Sequence, residues 1–442
     1  MNFTQAYNYL LSLGNIVRQE YLTDSSHCEL YLKRLRFFLN LLGHPEKQIP
    51  RYIHVAGTSG KGSVCLMLSS ILKQTGQKVG VITSPHPSTI TERWEINGRP
   101  ISQKKFIALI EFIKPKLDEY SRTSPYDLPS FFEITTALGL LYFAQEKIDW
   151  AIVEVGLGGR FDSTNVIPNR DICLITNIGL DHQNIIGPTK KDIAYEKAGI
   201  IKRDCAVLTM EKNPAILKIF QKECAQQKSQ KLRVIKYDEK EFKIMNHEIN
   251  KICFKYKNQS YFLPVSGAHQ IKNAILAIEA SNQLKIARQT IRQGLKKIKL
   301  PLRLQTVSRR PLIILDGAHN PDKMKTTIQA IKEIKYLKNQ PIHLIVGFSA
   351  DKNWLKMAKQ LAGLNLASIA CTRFTNNIFR KTANPPAITR QFKKLSPKTK
   401  IEMFLDPAQA LKWSKRQNKK NHGLILTTGS FFLSGEIKLL LS

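Results

Sequence analysis

Cysteine is scarce in this chain and shows none of the spacings that would give it a structural role. The seven cysteines are scattered, odd in number and never arranged as C-x-x-C. Disulfide frameworks and zinc sites depend on paired or regularly spaced cysteines, so neither is expected. The pattern is typical of thiols that are kept reduced, which favours a cytoplasmic location.

Long apolar runs are also missing. The N-terminal sequence MNFTQAYNYLLSLGN lacks the basic start and the extended apolar stretch of a secretion signal. The most apolar segment, 134–144, contains Thr135 and Thr136 and is shorter than the roughly 18 residues that a membrane-spanning helix needs. We therefore expect neither secretion nor a membrane partner.

Acidic residues are few, since 34 Asp and Glu stand against 68 Lys and Arg, giving a formal net charge of +34. Such an excess could indicate a basic nucleic-acid-binding protein. However, clusters such as 393–394 and 415–420 are not interleaved with aromatic residues, and no helicase or recognition motif is present. We expect an attraction to small anionic molecules and no nucleic-acid partner.

The alternation of strand-like and helix-like segments predicts an α/β protein. With 442 residues, 43% of them hydrophobic, the chain is long enough for two domains. We expect a larger domain over 1–298 built on a mainly parallel sheet, and a smaller Rossmann-like α/β domain over 299–442. Within the first, 231–263 indicates a small antiparallel addition. The predicted strands are 53–56, 79–83, 150–155, 172–176 and 206–210 in the first domain, 251–257 and 260–265 in the addition, and 312–315, 342–346, 367–371 and 424–427 in the second domain.

The clearest functional signal is the sequence RYIHVAGTSGKGS at 51–63, an apolar strand that runs into a glycine-rich turn. A helical pattern and another strand follow, which is the context that a nucleotide-binding phosphate loop requires. The spacing departs from G-x-x-x-x-G-K-[ST], because Val55 replaces the first glycine and Gly62 separates lysine from serine. An ordinary tight turn is the alternative interpretation. The candidate phosphate-binding residues are Gly57, Thr58, Ser59, Gly60, Lys61, Gly62 and Ser63.

Polar residues follow three predicted strands of the first domain. Ser84 lies in TSPH after the second strand, Glu154 is at the end of the third, and Asp181–His182 follow the fourth. The carboxyl ends of parallel strands share one edge of a sheet, where α/β proteins bind ligands. A carboxylate there, opposite a phosphate loop, suits magnesium-dependent phosphoryl transfer. Each residue alone could equally be a helix cap or a buried structural polar group.

The motifs, taken together, resemble the folylpolyglutamate synthase and dihydrofolate synthase family of Mur-type ATP-dependent amide ligases. The resemblance runs from about Ile53 to Phe432 and implies a Mur-ligase central-domain fold for the first domain. It is carried by HVAGTSGKGS, TSPH, ITERWEINGRPIS, EVGLGGRFDSTN, ITNIGLDHQNIIGPTKKDIAYEKAGIIK, SGAHQIKNA, PLRL, LDGAHNP and TTGSFF.

The resemblance implies a specific reaction. A substrate carboxylate would attack the γ-phosphate of ATP, and the amine of L-glutamate would displace phosphate from the resulting acyl phosphate. No covalent enzyme intermediate is required, in agreement with the absence of a G-x-S-x-G nucleophile motif.

The resemblance also implies roles for individual residues of the first domain. Lys61 would neutralise the β- and γ-phosphates of ATP, and Ser84, Glu154 and His182 would hold Mg²⁺. Lys197, in the EKAGI motif, would help to place a second Mg²⁺. It could do so only as a carbamate, because an ammonium group cannot ligate a cation.

Further contacts to the nucleotide are implied from both domains. Asn273 and Arg303 would touch ATP, with Arg303 near the phosphates. Asp316 and His319 of LDGAHNP would reach the ribose, the base and the reacting centre, and the domains would close over the nucleotide. The expected catalytic residues are Lys61, Lys197, Arg303 and His319.

The chain departs from the family at several motif positions. Ser59 and Thr91 replace asparagine, Leu302 replaces glycine, and Gln305 replaces glutamate. The region before Arg51, where relatives contact folate, matches only loosely. Dihydropteroate, tetrahydrofolate or both therefore stay open as the carboxylate substrate, as does a non-folate carboxylate used by another Mur-type ligase. We expect a monomer with small-molecule partners only.

Overall fold

The computed structural model describes residues 1–13, 28–168, 170–180, 183–237, 242–334, 336–338, 340–377 and 380–441. Its contacts divide the chain into two compact units. The first comprises Met1–Glu241 and Lys272–Lys297, and the second comprises Phe242–Ile271 and Ile298–Ser442.

An eight-stranded sheet forms the centre of the first unit. Its strands are β1 (Arg51–Ala56), β2 (Val79–Ile82), β3 (Trp94–Ile96), β4 (Arg99–Pro100), β5 (Trp150–Glu154), β6 (Ile172–Ile175), β7 (Ala206–Thr209) and β8 (Arg233–Val234). They are ordered β4-β3-β2-β5-β1-β6-β7-β8, and only the β2–β3 and β3–β4 pairs are antiparallel. The expected mainly parallel N-terminal sheet is therefore confirmed.

The order of the central strands determines which loops are neighbours. β1 pairs with β5 on one side and with β6 on the other, with Val55 opposite Glu154 and Ala56 opposite Ile175. The segments that follow these three parallel strands therefore leave the sheet side by side at its carboxyl edge.

Helices of the first unit pack on this sheet through two apolar clusters. One contains Phe38, Tyr120 and Leu140, and the other contains Ile193 and Phe220. The helices are α1 (Phe3–Ser12), α2 (Glu29–Leu41), α3 (Lys61–Lys73), α4 (Gln103–Thr123), α5 (Phe131–Gln145), α6 (Gln183–Ile186), α7 (Lys190–Ala198), α8 (Pro214–Gln227), α9 (His269–Gln283) and α10 (Arg288–Lys296). The division between the units falls in the first turn of α9.

The second unit contains a six-stranded sheet ordered β12-β13-β17-β14-β15-β16 and a three-stranded sheet ordered β11-β10-β9. The strands are β9 (Phe242–Glu248), β10 (Lys251–Tyr256), β11 (Gln259–Leu263), β12 (Gln305–Arg309), β13 (Leu312–Leu315), β14 (Ile342–Val346), β15 (Leu366–Cys371), β16 (Lys400–Met403) and β17 (Leu424–Thr428). Its helices after α9 are α11 (Pro321–Glu333), α12 (Trp354–Leu361), α13 (Pro385–Leu395), α14 (Pro407–Asn421) and α15 (Phe431–Leu439). The larger sheet is parallel except for β12, which confirms the predicted C-terminal α/β fold.

The domain limits 1–298 and 299–442 stay a prediction about folding domains. The contacts group Phe242–Ile271, which holds the antiparallel strands, with the second unit although this segment lies within 1–298. Sequence order alone cannot indicate such a grouping, because it depends on tertiary contacts.

Two of the structural expectations concern cysteines and membrane spans. All seven cysteines lie in the described part of the chain, and none forms a disulfide. No described helix is both long and apolar enough to cross a bilayer.

Candidate active site

The phosphate loop, defined here as residues 57–63, is held against the segment that follows β6. The amide N–H of Thr58 donates to the carbonyl of Asn177 at 2.9 Å, and the amide of Ser59 donates to Asn177 Oδ1 at 3.0 Å. Thr176 Oγ1 donates to the carbonyl of Ser59 at 2.7 Å. The amides of Thr58 and Ser59 therefore bond within the protein, and the first-turn amides of α3 are placed to face an anion.

Lys61 begins helix α3, and its Nζ donates to the carbonyl of Gly57 at 3.0 Å. The lysine thus lies across the loop, where its charge would face bound phosphates. Gly57 has a φ of 141°, and a Cβ at this position would overlap Thr176 Oγ1. Glycine is required here by both backbone conformation and close packing.

Two predicted site residues lie directly beside this loop. A Cβ on Gly60 would overlap Asn273 Oδ1, so the Asn273 side chain, on α9, reaches the loop. A Cβ on Gly62 would lie 3.2 Å from Glu154 Oε2. Glu154 is buried at the end of β5, and its Oε2 accepts the amide N–H of Ser84 at 3.1 Å. The structure thus brings the phosphate loop, Asn273, Glu154 and Ser84 together.

A buried arginine bonds to His86, two residues after Ser84. Arg93 donates through Nε to His86 Nδ1 at 3.1 Å, and its guanidinium carbon lies 5.5 Å from the centre of the Phe131 ring. Burial lowers the pKa of Arg93 to about 10 and that of His86 to about 3. At neutral pH the pair is therefore a charged arginine and a neutral histidine, and the cation attracts Glu154.

Of the other predicted metal ligands, His182 lies outside the described residues. Lys197 is buried on α7, and its Nζ donates to the carbonyl of Gly158 at 3.5 Å. Burial raises the pKa of its neighbour Glu196 to about 7. Within the described ranges, no group of three or more His, Cys, Asp or Glu side chains is placed to bind a metal ion.

The loop after β5 is tied to the end of α7 by a buried polar network. Asn165 Nδ2 donates to the carbonyl of Arg160 at 2.8 Å and to that of Gly199 at 3.1 Å. Asp162 accepts the amides of Leu157 at 2.8 Å and Thr164 at 3.0 Å. These bonds hold the loop at 157–165 in place and tie it to the C-terminal end of α7. The motif EVGLGGRFDSTN did not reveal this connection from sequence alone.

In the second unit, Asp316 follows β13 and organises the loops around it. Its carboxylate accepts the amides of Leu304 and Ala318, each at 3.0 Å, and the hydroxyl of Thr327 at 2.7 Å. The Arg303 guanidinium lies 5.0 Å from the centre of the Phe431 ring. Asp316 therefore positions the segments that carry Arg303 and His319.

Sequence reasoning missed three groups of functional interest. Thr176 and Asn177 support the phosphate loop, Arg93 bonds to His86 of the TSPH segment, and Lys323 bonds to His319 at 3.0 Å. The ITN sequence directly after β6 could have indicated the first pair, because it begins at the sheet edge beside β1.

A phosphate loop after a central parallel strand, with a carboxylate at the end of the neighbouring strand, defines an α/β nucleotide-binding protein. Two family models specify the class further: the Mur ligase middle domain matches residues 55–281, and the Mur ligase glutamate ligase domain matches residues 302–431.

Comparison with individual relatives identifies the family within this class. The chain is 34% identical over 423 residues to a dihydrofolate synthase/folylpolyglutamate synthase of Bacillus subtilis, with 92% of this chain and 94% of the relative covered. It is 34% identical to a folylpolyglutamate synthase of Lacticaseibacillus casei, with 82% of this chain and 83% of the relative covered. The solved structure of the folylpolyglutamate synthase of Thermotoga maritima superposes on this chain with a TM-score of 0.83 at 29% identity. The superposition covers 99% of this chain and 96% of the other. The chain belongs to the dihydrofolate synthase/folylpolyglutamate synthase family of ATP-dependent amide ligases.

Proposed function

We propose that this enzyme joins L-glutamate to the carboxylate of a folate or pteroate, using ATP and passing through an acyl phosphate. The observation that carries the proposal is the similarity to the Bacillus subtilis enzyme along nearly the whole of both chains. The phosphate loop lies beside Glu154 and Asn273, and these groups would bind the nucleotide and its metal ion.

ATP is the nucleotide that the first unit would bind. Solved relatives include complexes with ADP and AMPPCP and a complex with AMPPCP and folate. In this chain, the first-turn amides of α3 and the ammonium of Lys61 would hold the phosphates. Asn273, whose Oδ1 lies against Gly60, would contact the nucleotide from α9.

The residues around Glu154 fit a magnesium ion. A Cβ on Gly62 would lie 3.2 and 3.5 Å from the two carboxylate oxygens of Glu154, so glycine keeps open the space between the carboxylate and the start of α3. Ser84 and Glu154 offer a hydroxyl and a carboxylate, the hard oxygen ligands that Mg²⁺ prefers. His182 and a carbamylated Lys197 are proposed as further ligands. When bound, Mg²⁺ would supply positive charge to the phosphates.

The two bond-forming steps take place between the substrates, and residues of the chain orient the reacting groups. A folate carboxylate attacks the γ-phosphorus of ATP, the bond from that phosphorus to the β-bridging oxygen breaks, and ADP leaves. The amine of glutamate then attacks the acyl carbon, loses a proton, and expels inorganic phosphate. Lys61 offsets negative charge that develops on the phosphates during the first transfer.

Dihydropteroate, tetrahydrofolate or both are proposed as the acceptor. Curated relatives include enzymes named for both activities, for folylpolyglutamate synthesis alone, and for dihydrofolate synthesis alone. Because membership of the family does not show which of these activities the chain has, dihydropteroate and tetrahydrofolate should be compared directly as acceptors.

The proposal is tested by incubating the purified protein with ATP, Mg²⁺ and radiolabelled L-glutamate, with either dihydropteroate or tetrahydrofolate as acceptor. We expect label in a folate product together with ADP and phosphate, and no incorporation when the acceptor is omitted. Release of AMP and pyrophosphate would contradict the acyl-phosphate route. If label is incorporated into neither dihydropteroate nor tetrahydrofolate, the folate assignment is contradicted.

A further inference from the structure

Arg93 lies at the carboxyl edge of the first unit's sheet, in the same row of residues as Glu154. The last residue of β2 is paired with the first residue of β3 on one side and with the next-to-last residue of β5 on the other. The amide N–H of Thr83 continues this pairing by donating to the carbonyl of Arg93 at 3.0 Å. Because β5 separates β2 from β1, Arg93 and the phosphate loop lie on opposite sides of Glu154.

The side chain of Arg93 is held in one orientation by His86. Arg93 Nε donates to His86 Nδ1 at 3.1 Å, and the Phe131 ring lies 5.5 Å from the guanidinium carbon. An arginine nitrogen can only donate, so Nδ1 of His86 is the acceptor and the single proton of the neutral ring is on Nε2. The pair therefore presents the two Nη groups of Arg93 and the Nε2–H of His86 as donors.

These three donor nitrogens have no hydrogen-bond partner among the described residues. Arg93 also forms no ion pair with a described carboxylate, although the charge of Glu154 attracts it. Only 9% of Arg93 is exposed, and a buried cation without a paired anion is unfavourable. None of the three nitrogens is a completely buried atom, so each can be reached by a small molecule. The pair is thus suited to binding an anion.

We propose that Arg93 and His86 bind the acceptor carboxylate that ATP phosphorylates. The inference rests on the proposed function, since it assigns a substrate contact of that reaction. A guanidinium group matches a carboxylate with two parallel N–H groups, and the neutral His86 adds a third donor. Each carboxylate oxygen has a second lone pair, so a bound carboxylate keeps one for attack on phosphorus.

The location of the pair fits the direction of the reaction. The attacking oxygen has to approach the γ-phosphorus from the side opposite the departing ADP. The phosphate loop would hold the ADP part of the nucleotide on one side of Glu154, and Arg93 and His86 lie on the other side. A carboxylate held there is oriented before the transfer, which is how binding groups lower the barrier of such a step.

The test compares binding of an acid with binding of the matching amide. Calorimetry without ATP measures the Kd of dihydropteroate and of its carboxamide; if turnover requires tetrahydrofolate, that acceptor and its γ-carboxamide are used. Arg93→Gln should raise the Kd of the acid by about 10- to 100-fold, as expected for loss of a charge-assisted pair of hydrogen bonds, and change that of the amide less than about threefold. Arg93→Lys, which keeps the charge and loses the paired N–H groups, should lie between wild type and Arg93→Gln.

Arg99→Gln is the matched control, because Arg99 is an exposed arginine on β4. It should bind both acceptors as wild type does. The Kd of AMPPCP should stay within about twofold of wild type in all variants, which also shows that the variants are folded. A Kd of AMPPCP that rises about 10-fold in Arg93→Gln, with the Kd of the acid unchanged, would assign Arg93 to a phosphate and overturn the inference.

A second measurement concerns His86 and does not depend on turnover. Nitrogen-15 NMR of histidine-labelled wild type should show His86 as the neutral Nε2–H tautomer at pH 7. Its Nε2 resonance should shift more on addition of the acid than on addition of the amide. The Nδ1–H tautomer, or equal shifts with both acceptors, would overturn the contact from His86.

The outcomes separate this inference from the proposed function. If wild type incorporates glutamate but Arg93→Gln weakens binding of acid and amide equally, Arg93 only shapes the site, and the inference is wrong while the function stands. The same conclusion follows if Arg93→Gln binds the acid as wild type does. If wild type incorporates glutamate into neither pterin, the function fails and the inference fails with it.

Discussion

Gly60 and Gly76 flank helix α3 and have nearly the same left-handed backbone, with φ of 86° and 83°. Their surroundings differ. A Cβ on Gly60 would overlap Asn273 Oδ1, whereas a Cβ on Gly76 would meet nothing within 4 Å. Alanine at either position has the same backbone penalty, but only at Gly60 would it also displace a side chain of the nucleotide site.

We therefore expect Gly76→Ala to lower the free energy of unfolding by about 1–2 kcal/mol and to leave nucleotide affinity unchanged. Gly60→Ala should show a similar loss of stability and also weaken binding of a non-hydrolysable ATP analogue by at least about 10-fold. Isothermal titration calorimetry and urea unfolding measure the two effects. Equal nucleotide affinity in both variants would show that the Gly60–Asn273 contact has no role in ATP binding.

Residue identity alone predicts some of these positions and misses others. Glycine and lysine in the phosphate loop can be recognised because their backbone freedom and charge serve phosphate binding directly. Leu302 shows the opposite case: it has a φ of 54° and a fully buried side chain where the family has glycine. The backbone needs a residue that tolerates positive φ, and the burial of leucine offsets the strain, which only the packing reveals.

At the scale of elements, hydrophobic patterning predicted most strands of both sheets. The strands at 312–315 and 342–346 are confirmed at the same residues, and the strand at 150–155 is one residue shorter. The patterning did not indicate β3, β4 or the antiparallel β12, and it also missed the edge strands β8 and β16. β4 and β12 are edge strands, and β3 lies next to β4. All three are short or partly exposed, so their side chains carry little of the apolar alternation that marks a buried strand.

A second prediction concerns the connection between the β5 loop and α7. The Asn165 side chain donates to the carbonyls of Arg160 and Gly199 and accepts from Arg170 Nη2 at 2.6 Å. Asn165→Leu would leave these groups without partners inside the protein, so we expect a loss of about 3 kcal/mol of stability. Because α7 loses its anchor to the loop, hydrogen exchange at 190–198 should also become faster.

Asn282→Leu is the matched control for this variant, since Asn282 is exposed on α9. Its unfolding free energy should stay within about 0.5 kcal/mol of wild type. If Asn165→Leu unfolds like the control, or if exchange at 190–198 is unchanged, the network does not fix α7.

At the scale of the whole molecule, the formal net charge of +34 counts every histidine as neutral, and some histidines are held neutral by their surroundings. His54 is one of these, fully buried on β1 directly before the phosphate loop. Its Nδ1 accepts Arg170 Nε at 3.2 Å, so Nε2 is the donor to Thr164 Oγ1 at 2.9 Å. Burial, and next the charge of Arg170, hold the pKa of His54 well below its usual value.

This arrangement makes stability depend on pH with a definite sign. Below about pH 6.5 the unfolded chain binds a proton at His54 and the native protein does not, so acid favours unfolding by up to about 1.4 kcal/mol per pH unit. Buried carboxyl groups with raised pKa, such as Glu196, act in the opposite direction, because the native protein retains their proton. A comparison with a variant that differs only at His54 cancels their contribution.

We therefore expect His54→Gln to be less stable than wild type at pH 7.5, with the difference in unfolding free energy shrinking by about 1 kcal/mol at pH 5.5. Glutamine does not titrate, so the variant lacks the acid-dependent loss that the neutral histidine causes in wild type. Urea unfolding at the two pH values, followed by tryptophan fluorescence from Trp94 and Trp150 of the first unit, measures the difference. A difference that stays constant or grows toward pH 5.5 would mean that His54 accepts a proton in the native protein, which its bond from Arg170 should prevent.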